Sequence, residues 1–328
     1  VGIVLMKPFT VLISSAGRRV ALLRAFQEAV RPLSGRVIAA DASPLSAAAH
    51  LADARFVVPR CTSPEFVDFM LDLCQREGVR LIVPTIDPEL LVYAEHRDRF
   101  AAIGTRVLVS SKQVIEIGAK KDLTARWLTD NGLPAPRTCS IDQALDTLPL
   151  PFIVKPVAGS ASIGVRTIRS PVELSAVTRD ADYIAQEIAS GDEYTVDVLL
   201  TQDGDFVDAV PRRRIEVRAG EVSKGITARV PELESLARDL AAKLPGAQGV
   251  INFQAFFEPA GRRAKIIEIN PRFGGGYPLA HHAGANFARW LVEETAGLKP
   301  ISPGTWREGV LMLRYDDAVF IETGGEAR

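Results

Sequence analysis

Lys265-Ile-Ile-Glu268-Ile-Asn270-Pro271-Arg272-Phe273-Gly274-Gly275-Gly276 is the stretch on which the reading of this chain turns. Apolar residues alternate with Glu268 and Asn270, and Pro271 with three glycines then ends the run, which is the pattern of a strand opening into a loop. Glu268 and Asn270 stand two apart, so they share one face while Ile269 points into the core. Two oxygen ligands therefore converge. Magnesium takes hard oxygens and completes its octahedron with phosphates and water, which one carboxylate and one amide leave room for. Gln254, in the preceding strand Ile251 to Phe257, offers a third oxygen. Arg272 follows where it can neutralise charge on a transferring phosphoryl group, and Gly275, in the middle of the glycine run, lets a ligand approach the backbone closely. The plain alternative is a polar strand end capped by Pro and Gly.

Two stretches upstream fit the same chemistry. Phe152-Ile-Val-Lys155-Pro156 runs into Val157-Ala-Gly159-Ser160-Ala-Ser162-Ile-Gly164-Val165. Gly159 and Gly164 bracket Ser160 and Ser162 in a loop whose N–H and hydroxyl groups can close over phosphate oxygens, with Lys155 as a point charge beside them. The two glycines have the spacing of a Walker loop, but Val165-Arg166 stands where Lys-Ser or Lys-Thr is needed and the loop joins two strands, so a P-loop is rejected. The second stretch is Tyr183-Ile-Ala-Gln186-Glu187-Ile188, followed by Glu193. A strand ending in Gln-Glu can present backbone donors and acceptors to an adenine edge, with a carboxylate nearby for ribose hydroxyls. An exposed acidic turn would look alike.

In order and spacing these residues resemble the ATP-grasp superfamily, and within it the relatives of the carbamoyl-phosphate synthase large subunit. The resemblance covers nearly the whole chain. It implies ATP held between two α+β subdomains, with Lys121 and Lys155 at phosphates and adenine, Glu187 and Ile188 at adenine, and Glu193 at ribose. Glu268 and Asn270 match its magnesium ligands, Gln254 its further ligand, and Arg272 its catalytic arginine. The implied cofactors are ATP and Mg2+, two ions, with Mn2+ able to substitute. The Lys120-Lys121 doublet leaves open which lysine meets the nucleotide.

The first third of the chain alternates short apolar runs with amphipathic segments, from Thr10 to Ser14 through Arg106 to Val109, which predicts a doubly wound parallel sheet. After Ser110 loop-bounded strands take over. The fold class expected is α/β, an N-terminal doubly wound parallel-sheet domain over residues 1–111. An α+β ATP-grasp fold of two subdomains follows, the small one over 112–190 and the large one over 191–328. Gly17 after the first strand and Asp41 after the second suggest a dinucleotide fold, but one glycine replaces three and Arg18-Arg19 would crowd a pyrophosphate, which argues against NAD. The carboxyl ends of the strands carry Arg18, Arg19, Asp41 and Thr85-Ile-Asp87-Pro-Glu89. Arg18 there can hold a substrate carboxylate and Asp87 or Glu89 an ammonium, an amino-acid-like substrate; a solvated first helical turn is the alternative. Alternation places Arg212, Arg214, Glu216 and Arg218 on one strand face, with Arg214 a candidate lining the cleft.

Of 328 residues 47% are hydrophobic and 24% charged, enough to build two domains with real cores and to exclude intrinsic disorder. Thirty-nine Lys plus Arg against 40 Asp plus Glu leave a net charge of −1, without the footprint of a general nucleic-acid binder. No apolar run is long enough to span a bilayer, and Val1 to Met6 is too short for a signal-peptide core, so neither nucleic acid nor membrane is expected as partner and a cytoplasmic location is. Cys61, Cys74 and Cys139 have neither disulfide nor zinc spacing, and His281-His282 lacks a third ligand. The expected function is an ATP-dependent carboxylate–amine ligase acting through an acyl phosphate and releasing ADP and phosphate, on an amino acid or small carboxylate. Its partners are the small-molecule carboxylate and amine, and a homodimer is left open. Carboxyphosphate or carbamate chemistry, and a nucleotide-binding subunit without turnover, are the alternatives.

Overall fold

The computed structural model describes residues 8–159, 163–178, 182–218 and 220–322. Along the chain run β1 (Thr10–Ser14), α1 (Val20–Val30), β2 (Arg36–Asp41), α2 (Ala47–His50), β3 (Ala54–Val57), α3 (Phe66–Glu77), β4 (Val79–Pro84), α4 (Asp87–Ala102) and β5 (Arg106–Val107). These strands form one parallel sheet in the order β3-β2-β1-β4-β5. Side chains alternate across it. Val11, Ile13, Val37 and Ala39 face one core, and Leu12, Ile38, Ala40 and Ile82 face the other, where α3 and α4 cover them.

The remaining elements are α5 (Lys112–Ala119), α6 (Lys121–Asp130), β6 (Thr138–Ser140), α7 (Ala144–Thr147), β7 (Phe152–Pro156), β8 (Arg166–Ile168), α8 (Pro171–Ser175), β9 (Tyr183–Glu187), β10 (Asp192–Leu200), β11 (Phe206–Arg218), β12 (Glu221–Thr227), α9 (Pro231–Lys243), β13 (Gly249–Glu258), β14 (Arg263–Asn270), α10 (Tyr277–Ala283), α11 (Phe287–Thr295) and β15 (Leu311–Leu313). They build an antiparallel four-stranded sheet, β6-β9-β7-β8, and a six-stranded one, β14-β13-β10-β11-β12-β15. Sequence patterning does not separate α5, α10, α11 and β15 from their surroundings. The apolar faces of α10 and α11 are completed by another part of the chain: Tyr277, Ala280, Phe287 and Leu291 join α1 in the core beneath the first sheet. The parallel-sheet domain is thus closed on one side by helices that lie, in chain order, between β14 and β15 of the large antiparallel sheet. No helix among the described residues is long and apolar enough to cross a membrane.

Two local features fix the carboxyl ends of β1 and β4, the point where strand order reverses and open α/β sheets place ligands. Gly17 donates its N–H to Asp41 Oδ2 at 2.7 Å, so the second strand's carboxylate is occupied in holding the turn. Glu89 has no exposed surface and accepts from Ser14 Oγ, Ser15 Oγ and the Thr85 and Ile86 N–H groups, at 2.6–3.2 Å. Burial nonetheless raises its pKa, with the four hydrogen bonds opposing. Glu89 therefore ties the first turn of α4 to the end of β1 and does not reach a substrate, a correction to the role expected of it.

Candidate active site

Strand β7 and the start of α6 supply the cationic wall. Lys155 is 6% exposed, and its ammonium donates to Gln186 Oε1 at 2.8 Å, while the Gln186 amide donates to Thr138 Oγ1 at 2.7 Å. Burial, helped by the neighbouring Lys121 and opposed by Glu268, pulls the Lys155 pKa down to about 8. Lys121 donates to the Gly159 carbonyl at 2.6 Å, and burial lowers its pKa too, against the pull of Glu268. Lys120 is exposed at the cap of α6, while Lys121 is partly buried against the Gly159 carbonyl. Two ammonium groups with depressed pKa values share one wall, and neither forms an ion pair within 4 Å with a described residue. Gly164, at φ +78°, lies so close to Pro156 of β7 that a Cβ there would come within 2.8 Å of that ring. Ser160 and Ser162, between the two glycines, lie outside the described residues.

Strand β14 supplies the opposing wall. Glu268 Oε1 accepts from the Asn270 amide at 3.0 Å, and Ile269 between them is fully buried, as the alternation requires. Gln254 stands opposite Glu268 across the β13–β14 ladder, and opposite Thr195 of β10 on its other side. Among the described residues no three His, Cys, Asp or Glu side chains gather to hold a metal by themselves. One carboxylate with two amides is a weak cage, and it fits a magnesium ion shared with an anionic ligand. Glu193 meets Arg214 Nε at 3.2 Å, and burial raises its pKa, Arg214 opposing and Glu268 adding. Glu268 thus acts electrostatically on Lys121, Lys155, Glu193 and Arg272 at once.

The candidate adenine edge differs in detail from expectation. The Glu187 carboxylate is held by Arg137 at 3.0 Å and by a close contact with Lys265. Burial raises its pKa, and these two partners bring the balance below the ordinary carboxylate range. Its side chain is committed and its N–H donates to the Arg137 carbonyl at 3.0 Å, while Ile188 beside it is half-exposed.

Arg272 donates from Nε and Nη2 to the two Asp87 oxygens at 2.6 and 2.8 Å, and from Nη2 towards Asn270 Oδ1 at 3.4 Å. Burial lowers its pKa, but the Asp87 pair outweighs this and the net shift is upward. Asp87, expected to meet a substrate ammonium, is instead the partner of the arginine, reached across the two sheets. Arg18 is exposed, while Arg19 turns inward beside Glu221 and Gly275. On β11 the register slips between Arg214 and Glu216, and the expected single charged face breaks up. Arg212 is fully buried on Asp197 at 2.6 and 3.0 Å, Arg214 lines the site, and Glu216 pairs outward with Lys224. Patterning on β11 did not expose the bulge, and Glu221 and Arg314 stand in stretches with no motif.

Two stretches of the chain match known families. Residues 118–276 match the family described as ATP-grasp domain, and residues 11–108 match that described as PylC-like, N-terminal domain. The chain carries an ATP-grasp domain behind a PylC-like N-terminal domain. It is similar to the D-alanine–D-alanine ligase of Polaromonas naphthalenivorans, 31% identical over 132 residues, covering 36% of this chain and 38% of that protein. It is also similar to the 3-methyl-D-ornithine–L-lysine ligase of Methanosarcina barkeri, 28% identical over 156 residues, covering 46% and 41%. The similarity therefore spans well under half the length of these relatives. Among solved structures, an N5-carboxyaminoimidazole ribonucleotide synthetase in complex with ADP superposes with a TM-score of 0.72 at 15% identity, over 92% of this chain and 80% of that one. An L-amino acid ligase from Bacillus licheniformis gives 0.68 at 17%, over 90% and 76%. At such identities these likenesses define the fold.

Proposed function

We propose that this protein is an ATP-dependent carboxylate–amine ligase. The observation that carries the reading is the arrangement at Glu268, which accepts from Asn270 at 3.0 Å, stands opposite Gln254, and shares its electrostatic surroundings with Lys121, Lys155, Glu193 and Arg272 from four separate stretches. A triphosphate neutralised by Lys121 and Lys155 on one side and by a magnesium ion at Glu268, Asn270 and Gln254 on the other fits the charges of both walls. Bound there, magnesium supplies charge neutralisation at the phosphates. The number of ions and the use of manganese belong to the same proposal. Ile188 and the backbone at Glu187 take the adenine, and Glu193 takes the ribose.

In the first step a substrate carboxylate oxygen attacks the γ-phosphorus and the bond from that phosphorus to the β–γ bridging oxygen breaks, giving acyl phosphate and ADP. An amine nitrogen then attacks the acyl carbon, the carbon–oxygen bond to phosphate breaks, and the nitrogen gives up a proton. The activation exchanges an oxide leaving group for phosphate, which splits one hard substitution into two easier ones. Lys155 and Arg272 hold fixed positive charge where charge develops. The relatives named as ligases of D-alanine and of 3-methyl-D-ornithine with L-lysine support an amino acid as substrate. A homodimer and a cytoplasmic location are part of this reading.

Hydroxylamine in place of the amine tests it. With ATP, magnesium and each of the common amino acids and small carboxylates in turn, one of them is expected to yield a hydroxamate with about one ADP per hydroxamate. AMP as the main nucleotide product, or ADP release without hydroxamate for every carboxylate that stimulates turnover, refutes the ligase mechanism. A requirement for bicarbonate in ATP turnover would redirect it to carboxyphosphate chemistry.

A further inference from the structure

Arg19 stands half-enclosed near the cleft. Its side chain is 23% exposed, its guanidinium makes no hydrogen bond to any described residue, and its nearest carboxylate oxygen, Glu221 Oε1, is 3.8 Å away. It sits directly on Gly275, where a Cβ would come within 2.9 Å of both Arg19 Nη1 and Glu221 Oε1. Burial lowers its pKa, with Arg272 and Arg314 adding to the effect and Glu221 and Asp87 opposing it. The ion pair with Glu221 is long, and the donors of this half-enclosed guanidinium are left with room for a second oxygen ligand.

Glu221 is held from the other side. Arg314 donates to Glu221 Oε2 at 2.7 Å and to the Gly275 carbonyl at 2.9 Å. Arg314 stands just past β15, and its own N–H donates to the Ser223 carbonyl, extending the edge of the large sheet. Residue 314 lies beyond both matched family segments, so this part of the cluster is supplied by a piece of chain that the shared ATP-grasp domain does not include. Three segments thus place a guanidinium whose donors make no hydrogen bond to a described residue and a braced carboxylate 3.8 Å apart, next to the arginine of the proposed reacting centre. Opposite charges a few ångströms apart are what a molecule carrying both a carboxylate and an amine requires.

We infer that Arg19, Glu221 and Arg314 form the subsite that reads the amine-donating substrate, Arg19 taking its free carboxylate, Glu221 its amine on arrival as ammonium, and Arg314 positioning Glu221. This rests on the ligase reading and deepens it, since it requires the incoming amine to carry a carboxylate. The Gly274 to Gly276 turn is the floor of the subsite, and any side chain at Gly275 would fill it.

The test compares amines with and without that carboxylate. Wild-type protein is first shown to form hydroxamate with ATP and its carboxylate, which establishes the ligase reading independently of Arg19; no hydroxamate overturns that reading and this inference with it. The common amino acids and their carboxamides are then offered as amines. The wild type is expected to prefer the acid over the amide, and Arg19→Ala to raise the KM of the acid on the order of 10- to 100-fold, the range for losing a hydrogen bond to a charged group. The KM for ATP stays within threefold and the preference over the amide collapses. Arg19→Lys restores part of the preference, and Arg314→Ala, checked by thermal melting to be folded, reproduces a weaker form of the defect. An unchanged acid-over-amide preference in Arg19→Ala, or equal losses for acid and amide, overturns the inference.

Discussion

Raising the pH from 7 to 9 is expected to weaken nucleotide binding roughly tenfold through Lys155. In the free protein burial is the main reason its pKa stands at about 8, with Lys121 adding to it and Glu268 opposing. A phosphate set beside it replaces the lost solvation and adds opposite charge, so the bound form has a higher pKa than the free form. Nucleotide binding then takes up a proton between those two values. Affinity is flat below about pH 7 and falls as pH rises through 8, because the lysine must be charged again before it can bind; at pH 9 roughly a tenth of free molecules have it protonated. The folded-state depression also makes this lysine unfavourable to stability at low pH, an effect that fades as pH rises from about 8 towards the ordinary lysine value. Calorimetric titration with a non-hydrolysable ATP analogue, in two buffers of different ionisation heat, reads both Kd and proton uptake. Lys155→Arg keeps a charge that does not titrate in this range, so its profile should be flat. A wild-type Kd constant within twofold from pH 7 to 9, or the same slope in Lys155→Arg, refutes the reasoning.

Glu268→Gln and Asn270→Ala are each expected to lower magnesium-dependent ATP turnover on the order of 100-fold with unfolding midpoints little changed, because the triphosphate loses its counter-charge in an enclosed site; near-wild-type turnover at low magnesium would exclude the metal assignment. Asp87→Asn keeps the size of the side chain but removes the charge that holds Arg272 at 2.6 and 2.8 Å. A loss of about 10-fold in kcat with little change in the KM for ATP is expected of a positioning residue, and steady-state kinetics showing the reverse split would place Asp87 on the substrate instead.

The geometry of the candidate site was legible where its residues are constrained locally. Glu268 and Asn270 share a face by strand geometry alone, Ile269 is buried between them, and Lys155 sits in an apolar run that can only be a strand. The doubly wound order was legible from periodicity for the same reason. What failed depended on partners far along the chain. Glu89 and Asp87 are two residues apart at one helix start, and only the fold decides that Glu89 turns inward to four donors while Asp87 turns outward to Arg272, 185 residues later. The face of β11 was misread because a register slip cannot be seen in an alternating run. Arg314 and Glu221 have no motif; they matter because an edge strand brings them to Gly275.

In the proposed mechanism the Asp87 pair ties the N-terminal domain to the arginine at the reacting centre. Phe273, the residue after Arg272, is 2% exposed and packs edge-on against Phe26 of α1 at 5.8 Å and against Tyr277 at 4.7 Å. The arginine is therefore gripped twice by the N-terminal domain, through its guanidinium by Asp87 and through its backbone neighbour by the core beneath the parallel sheet. Glu89 fixes the turn that carries Asp87, and its own position depends on Ser14 and Ser15 at the end of β1. The chain of contacts runs from the centre of the parallel sheet to the arginine at the proposed phosphoryl-transfer site without passing through the lysine wall. A loosening of the N-terminal sheet should for that reason lower kcat before it weakens ATP binding, since the lysines stand on the four-stranded sheet and the start of α6, while the arginine is set by the parallel one.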